Sequence, residues 1–224
     1  MNKVNKIADF FYNGLKTKTI HKWHHYFDIY DKHFRTFMGK TPIILEIGVS
    51  FGGSIDMWNN YFNHDCIIYG IDIDKNCGTL NFEDNVHIVI GDQGNPMFWD
   101  DFFEKNNIHF DIVIDDGGHT MQQQIITFEK VYSRVKYGGI YLCEDLHTSY
   151  WDEYGGGYLN KNSFIEYSKN FIDLINAYHV RTPLSLDFRK DTFSITFYDS
   201  IIVLEKYSER DEKHPSSQVV RANT

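Results

Sequence analysis

The sequence has little cysteine, no long apolar run and no excess of basic charge. Its three cysteines, Cys66, Cys77 and Cys143, are scattered, which excludes a disulfide framework and a paired-cysteine zinc site. No apolar stretch approaches the ~20 residues that span a bilayer, so no membrane span is expected. The N-terminal stretch MNKVNKIADFFYNGLKTKTIHKW has no apolar signal core and no cleavage site. With the unpaired cysteines, that makes a reducing, cytoplasmic setting the expected one. Lys and Arg number 22 against 31 Asp and Glu, a net charge of −9. A phosphate backbone needs a basic footprint, so nucleic acid is not an expected partner. Aromatics, by contrast, are abundant: 18 Phe and 15 Tyr in 224 residues, within an apolar share of 42%. That suits one large domain with an ample core, or one domain with small extensions.

Hydrophobic periodicity sets the expected elements. Residues 3–15 and 20–38 read as helices, the second from Trp23, Phe27, Tyr30, Phe34 and Phe37 recurring at steps of three and four. Short apolar runs predict strands at 42–47, 66–74, 86–93, 110–116 and 138–145, with helices at 54–62, 121–136 and 162–180. Strands alternating with helices, and apolar on both faces, predict a parallel sheet covered on both sides. Two further strands, 192–198 and 200–206, are joined by the tight turn Tyr198-Asp199-Ser200, so the sheet should end in an antiparallel hairpin. No internal repeat and no interdomain linker is visible.

Polar residues gather where the five strands end. In open parallel α/β sheets the ligand crevice lies beyond those carboxyl ends. The first strand opens into LEIGVSFGGS, whose glycines let backbone approach a ligand. It is neither GxGxxG nor a phosphate loop with Lys-Ser/Thr. Glu46 would repel a pyrophosphate but suits a cationic ammonium or sulfonium. Asp72 is placed for ribose hydroxyls, and Asp92 and Gln93 lie where an adenine edge would. Together they favour a nucleoside ligand without a pyrophosphate.

The stretch HFDIVIDDGGHT drives a strand into Asp115, Asp116 and, three residues on, His119. Asp116, Glu144 and Asp145 are expected at the tips of neighbouring strands. Crowded carboxylates repel and raise one another's pKa, a conflict that a divalent cation removes. Oxygen ligands favour Mg²⁺, Mn²⁺ or Ca²⁺ over zinc. His119 can reach the same space as a general base; alternatively it ligates the metal or caps the next helix.

On LEIGVSFGGS, YGIDID, VIDDGGH, GGIYLCEDLHTSYW and NSFIEY…FIDLIN, the chain resembles the class I S-adenosylmethionine-dependent methyltransferases. Within them it is most similar to the metal-dependent sugar O-methyltransferases of macrolide biosynthesis, the mycinamicin and macrocin type, and to related domains of polysaccharide gene clusters. The resemblance covers about residues 17–206. It implies a Rossmann-like α/β sheet with helices on both faces, and a catalytic domain over 41–207. Residues 1–40 are then an N-terminal helical cap and 208–224 a polar tail. It implies S-adenosylmethionine as donor and Mg²⁺ (or Mn²⁺) on Asp116, Glu144 and Asp145, with His119 as base. Glu46, Gly48, Ser54, Asp72, Asp92 and Asp115 match donor positions. The segment HHYFDIYDKHF matches an element that brings His24, Tyr26 and Tyr30 near the donor. The acceptor is then a sugar hydroxyl on a small molecule or glycan, with His147, Tyr150 and Trp151 as candidate contacts. A catechol-like diol acceptor, or a metal-binding α/β domain without methyl transfer, are the rival readings. Oligomeric state is left open, a homo-oligomer included.

Overall fold

The computed structural model describes residues 5–182 and 184–213. Its centre is β1 (Ile43–Ile47), whose Ile44, Leu45 and Ile47 are all buried. Such a strand needs partners on both edges and cover on both faces. It pairs in parallel with β2 (Ile67–Asp72) on one side and β4 (Phe110–Asp115) on the other. β3 (Val86–Ile90) extends the sheet beyond β2, and β5 (Val135–Cys143) extends it beyond β4, both in parallel. β7 (Ile201–Lys206) then runs antiparallel to β5 and to β6 (Thr192–Tyr198), completing the order β3-β2-β1-β4-β5-β7-β6. The expected parallel sheet with a closing hairpin is what forms.

Alternation along the strands divides the core between two faces. Ile44, Ile112 and Ile114 face a layer that includes Tyr26, Tyr30, Phe34 and Trp58. Leu45 and Val113, with Tyr141 beside them on β5, face Trp99, Phe128 and Phe171. The first layer comes from α1 (Lys6–Asn13), α2 (Tyr26–Phe34) and α3 (Gly53–Tyr61). The second comes from α4 (Pro96–Lys105), α5 (Met121–Val131), α6 (Phe164–Ile175) and the short α7 (Asp187–Asp191). Burying apolar surface on both faces at about 25 cal/mol per Å² is the main stabilising term.

Several expected boundaries move. The helix expected over 20–38 begins only at Tyr26 and passes into a 3₁₀ turn at Arg35–Phe37. Residues 19–25 instead pass beside the loop after β1; a Cβ on Gly53 would lie 2.2 Å from the Thr19 carbonyl oxygen. The apolar spacing that suggested an early start is real, but Lys22 has ionic partners in the site. The helix expected over 121–136 stops at Val131, and residues 135–137 already belong to β5. α6 ends at Ile175 rather than 180. α4 was not expected from the sequence, although Asn95 caps it, Pro96 opens it, and Trp99, Phe102 and Phe103 bury its face. Of the expected first helix, residues 3 and 4 lie outside the described residues, as do residues 214–224 of the expected tail.

Candidate active site

The site lies where the strand order reverses. β1 has β2 on one side and β4 on the other, so the two connections leave in opposite directions and open a crevice at the carboxyl ends. Register brings the tips level: Ile47 pairs with Asp115, and Asp115 with Cys143. Asp116 and Glu144 therefore emerge side by side. The turn after β1 is tight. Gly48 has φ +94°, and a Cβ there would lie 1.9 Å from the Asp116 carbonyl oxygen. Only glycine permits that approach.

A cavity of about 490 Å³ fills the crevice. Gly48, Ser54, Asp72, Asp92 and Gln93 line one part, and Tyr26, Asp116, His119, Glu144 and Asp145 another. Asp72 Oδ2 accepts from the Val49 and Ser50 amides at 2.9 and 2.8 Å, and Oδ1 from the Asp74 amide at 2.8 Å. Gln93 is buried and braces the loop after β4: its Nε2 donates to Asp115 Oδ1 at 3.0 Å, and its Oε1 accepts from the Gly118 amide at 2.7 Å. Glu46 and Asp115 stand behind the wall, fully buried. Burial pushes the Asp115 carboxyl up to about 7, against hydrogen bonds from Gln93 and Tyr141. Burial likewise pushes Glu46 up to about 7, outweighing the Lys22 ammonium. Trp58 Nε1 donates to Glu46 Oε1 at 3.0 Å, while Oε2 has no partner among the described residues.

At the other end, Asp116, His119 and Asp145 offer ligand atoms within 4.8 Å of one another. His119 Nε2 lies 3.9 Å from Asp116 Oδ1 and 3.5 Å from Asp145 Oδ2. Its backbone is left-handed, φ 58°, as is that of Asp145, φ 55°. Such strain is uncommon outside glycine and is frequent at functional sites. His119 does not cap α5; Thr120 does, in a reciprocal capping box with Gln123. Buried His119 Nδ1 has no partner among the described residues.

Sequence reasoning missed Lys22. It is 8% exposed, and its ammonium donates to Asp116 Oδ2 and, at 2.9 Å, to Glu144 Oε2. Burial alone would lower its pKa, but Asp116, Glu144 and Glu46 raise it, so it stays charged. The Glu144 carboxyl is raised by burial and by the Asp116 charge, while Lys22 and a 2.7 Å hydrogen bond from Tyr30 oppose the rise. Tyr26 donates to Asp145 Oδ1 at 2.7 Å, so it braces the acidic end of the cavity. His24 is exposed and bonds Tyr12.

No protein-family model matches the chain. It is 37% identical over 147 residues to the 8-demethyl-8-alpha-L-rhamnosyl tetracenomycin-C 2'-O-methyltransferase of Streptomyces olivaceus, covering 61% of this chain and 38% of that one. It is 36% identical over 145 residues to the demethylmacrocin O-methyltransferase of Streptomyces fradiae, covering 60% and 36%. Among solved structures, the MycE methyltransferase from the mycinamycin biosynthetic pathway, in complex with Mg and SAH, superposes with a TM-score of 0.76 at 28% identity, over 87% of this chain and 52% of that one. The fold is that of a class I methyltransferase. Both named relatives are O-methyltransferases, and the chain spans less than two fifths of the length of either. A putative caffeoyl-CoA O-methyltransferase from Staphylococcus aureus, 16% identical with a TM-score of 0.53 over 92% of this chain and 93% of that one, shares the fold.

Proposed function

We propose that the chain transfers a methyl group from S-adenosylmethionine to a hydroxyl of a sugar-bearing small molecule, with a divalent cation at the acidic end of the cavity. The observation that carries this reading is the convergence of Asp116, His119 and Asp145 at one end of a cavity whose other end is shaped by Gly48 and Asp72. The donor set fits a hard cation: carboxylate oxygens converge, and each oxygen of Glu144 keeps a lone pair beyond its one hydrogen bond. Asp116, Glu144 and Asp145 would hold it. Bound there, a cation makes a coordinated hydroxyl more acidic and fixes its aim.

The chain's own residues do the rest. Asp72 has three of its roughly four acceptor sites filled by backbone amides, which leaves one for a ribose hydroxyl. Asp115 acts from behind the wall through the cavity-lining Gln93, while Glu46 is held in the core by Trp58. Ser54, Asp92 and Gln93 complete the donor side. His119 takes the acceptor proton at Nε2, the nitrogen facing Asp116 and Asp145. Beyond Asp145 a second cavity of about 460 Å³, lined by Leu146, His147, Tyr150, Ile172 and Phe197, suits the apolar body that carries the sugar.

Labelled-donor assays on sugar-bearing acceptors test this. Transfer should stop in excess chelator and return with Mg²⁺. His119→Ala should lower kcat by about 10²–10⁴ while Mn²⁺ and donor affinities hold, the usual worth of a placed base. Full turnover in chelator would overturn the cation; a near-normal kcat at saturating metal would remove His119.

A further inference from the structure

The two partly exposed acids of the cluster share a pattern. Each has one oxygen tied down and the other turned toward His119. Tyr26 holds Asp145 Oδ1 at 2.7 Å, leaving Oδ2 3.5 Å from His119 Nε2. Lys22 holds Asp116 Oδ2, leaving Oδ1 3.9 Å from the same nitrogen. The same ammonium reaches Glu144 Oε2 at 2.9 Å, so one side chain spans the tips of β4 and β5. A lysine surrenders much rotamer freedom and a strongly hydrated head when buried. Core packing alone does not require that, since apolar residues replacing a whole buried ion cluster are often as stable or more so. The segment bearing Lys22 is itself fastened, through the Lys18–Asp56 pair at 2.9 Å and the close approach of Thr19 to Gly53.

We propose that Lys22 is a positioning residue for the cation site: its ammonium fixes Asp116 and Glu144 so that Asp116 Oδ1 faces Asp145 and His119 before a metal arrives. This rests on the cation reading above. Two effects of Lys22 on metal affinity oppose each other. Its charge repels a second cation. Its hydrogen bonds hold together two acids that otherwise repel, and ligands held in place need no ordering when the metal binds. Asp116 is free to turn toward water once the tie is lost, since its side chain is 19% exposed. The inference is that the second effect is the larger.

Direct titration of Mn²⁺ into the full chain, by calorimetry without donor, measures the balance. Lys22→Met should bind Mn²⁺ at least about tenfold more weakly, roughly 1.4 kcal/mol. Lys22→Arg, which keeps a charged donor, should recover most of the affinity. S-adenosylhomocysteine affinity, whose proposed contacts lie at the ends of β1, β2 and β3, should stay within about threefold in both. Should Lys22→Met fail to fold, Lys22→Gln takes its place with the same expected loss. Unchanged or tighter Mn²⁺ binding in the neutral variant, with the wild type binding normally, overturns the positioning role. A wild type that binds no Mn²⁺ overturns the cation reading and this inference with it.

Discussion

At the scale of single residues, the site is a set of ionisable groups held in unfavourable surroundings by one another. Glu46 shows this with a measurable sign. Burial raises its carboxyl to about 7 in the folded chain, from an ordinary value of 4.5. Between those values the folded state binds a proton that the unfolded state has released. Stability therefore falls as pH rises through that window, and the loss is complete above about 7. Glu46→Gln removes the effect. In urea unfolding, the variant should gain on the wild type between pH 5 and 7, approaching roughly 3.5 kcal/mol at pH 8, one unit being about 1.4 kcal/mol. Parallel stability profiles for the two proteins would contradict the buried, uncompensated carboxyl. Single residues were also where the sequence was most legible. Asp116, His119, Glu144 and Asp145 were all expected in one place, because residues just past the ends of adjacent parallel strands border one crevice.

At the scale of elements, strand ends and helix starts do the placing. α2 carries Tyr26 and Tyr30 four residues apart, on one face, to Asp145 and Glu144. His33, further along the same helix, bonds Glu205 at 3.1 Å and Tyr198 at 2.9 Å and so fastens α2 to the β6–β7 hairpin. The β1 turn is the least forgiving piece. Gly48→Ala would place a methyl 1.9 Å from the Asp116 carbonyl oxygen at a φ of +94°. A loss of about 3 kcal/mol in urea unfolding is expected, at the upper end of ordinary substitutions. Mn²⁺ affinity should fall with it, because Asp116 must move. A loss under about 1 kcal/mol would mean that the two turns are not in contact. Element types were mostly readable, and boundaries less so. α4 went unread even though Asn95-Pro96 and the Trp99, Phe102, Phe103 spacing announced it. The start of α2 was misread because apolar period alone does not reveal that Lys22 is claimed by two carboxylates elsewhere in the chain.

At the scale of the whole molecule, binding and folding are linked. The first three strand ends meet only in the folded chain, so a donor analogue at 100 times its dissociation constant should add about 2.7 kcal/mol. For a chain of this size that is a rise of about 5–10 °C in melting temperature. S-adenosylhomocysteine added in excess chelator should give this shift without metal; no shift would remove the donor from the cavity. Among the described residues no helix is long and apolar enough to cross a membrane. What the sequence determined by itself was local and periodic: strands apolar on both faces and their order along the chain, glycine at the β1 turn, and acids at strand ends. Tertiary structure alone decided the pairing of Lys22 with Asp116 and Glu144, 94 and 122 residues away. It also decided the withdrawal of Glu46 and Asp115 behind the cavity wall. The physical reason is range. Hydrophobic period and turn chemistry act over a few residues and are written in order along the chain. A buried ion pair depends on which charges the finished sheet brings within a few ångströms, and no local pattern records that.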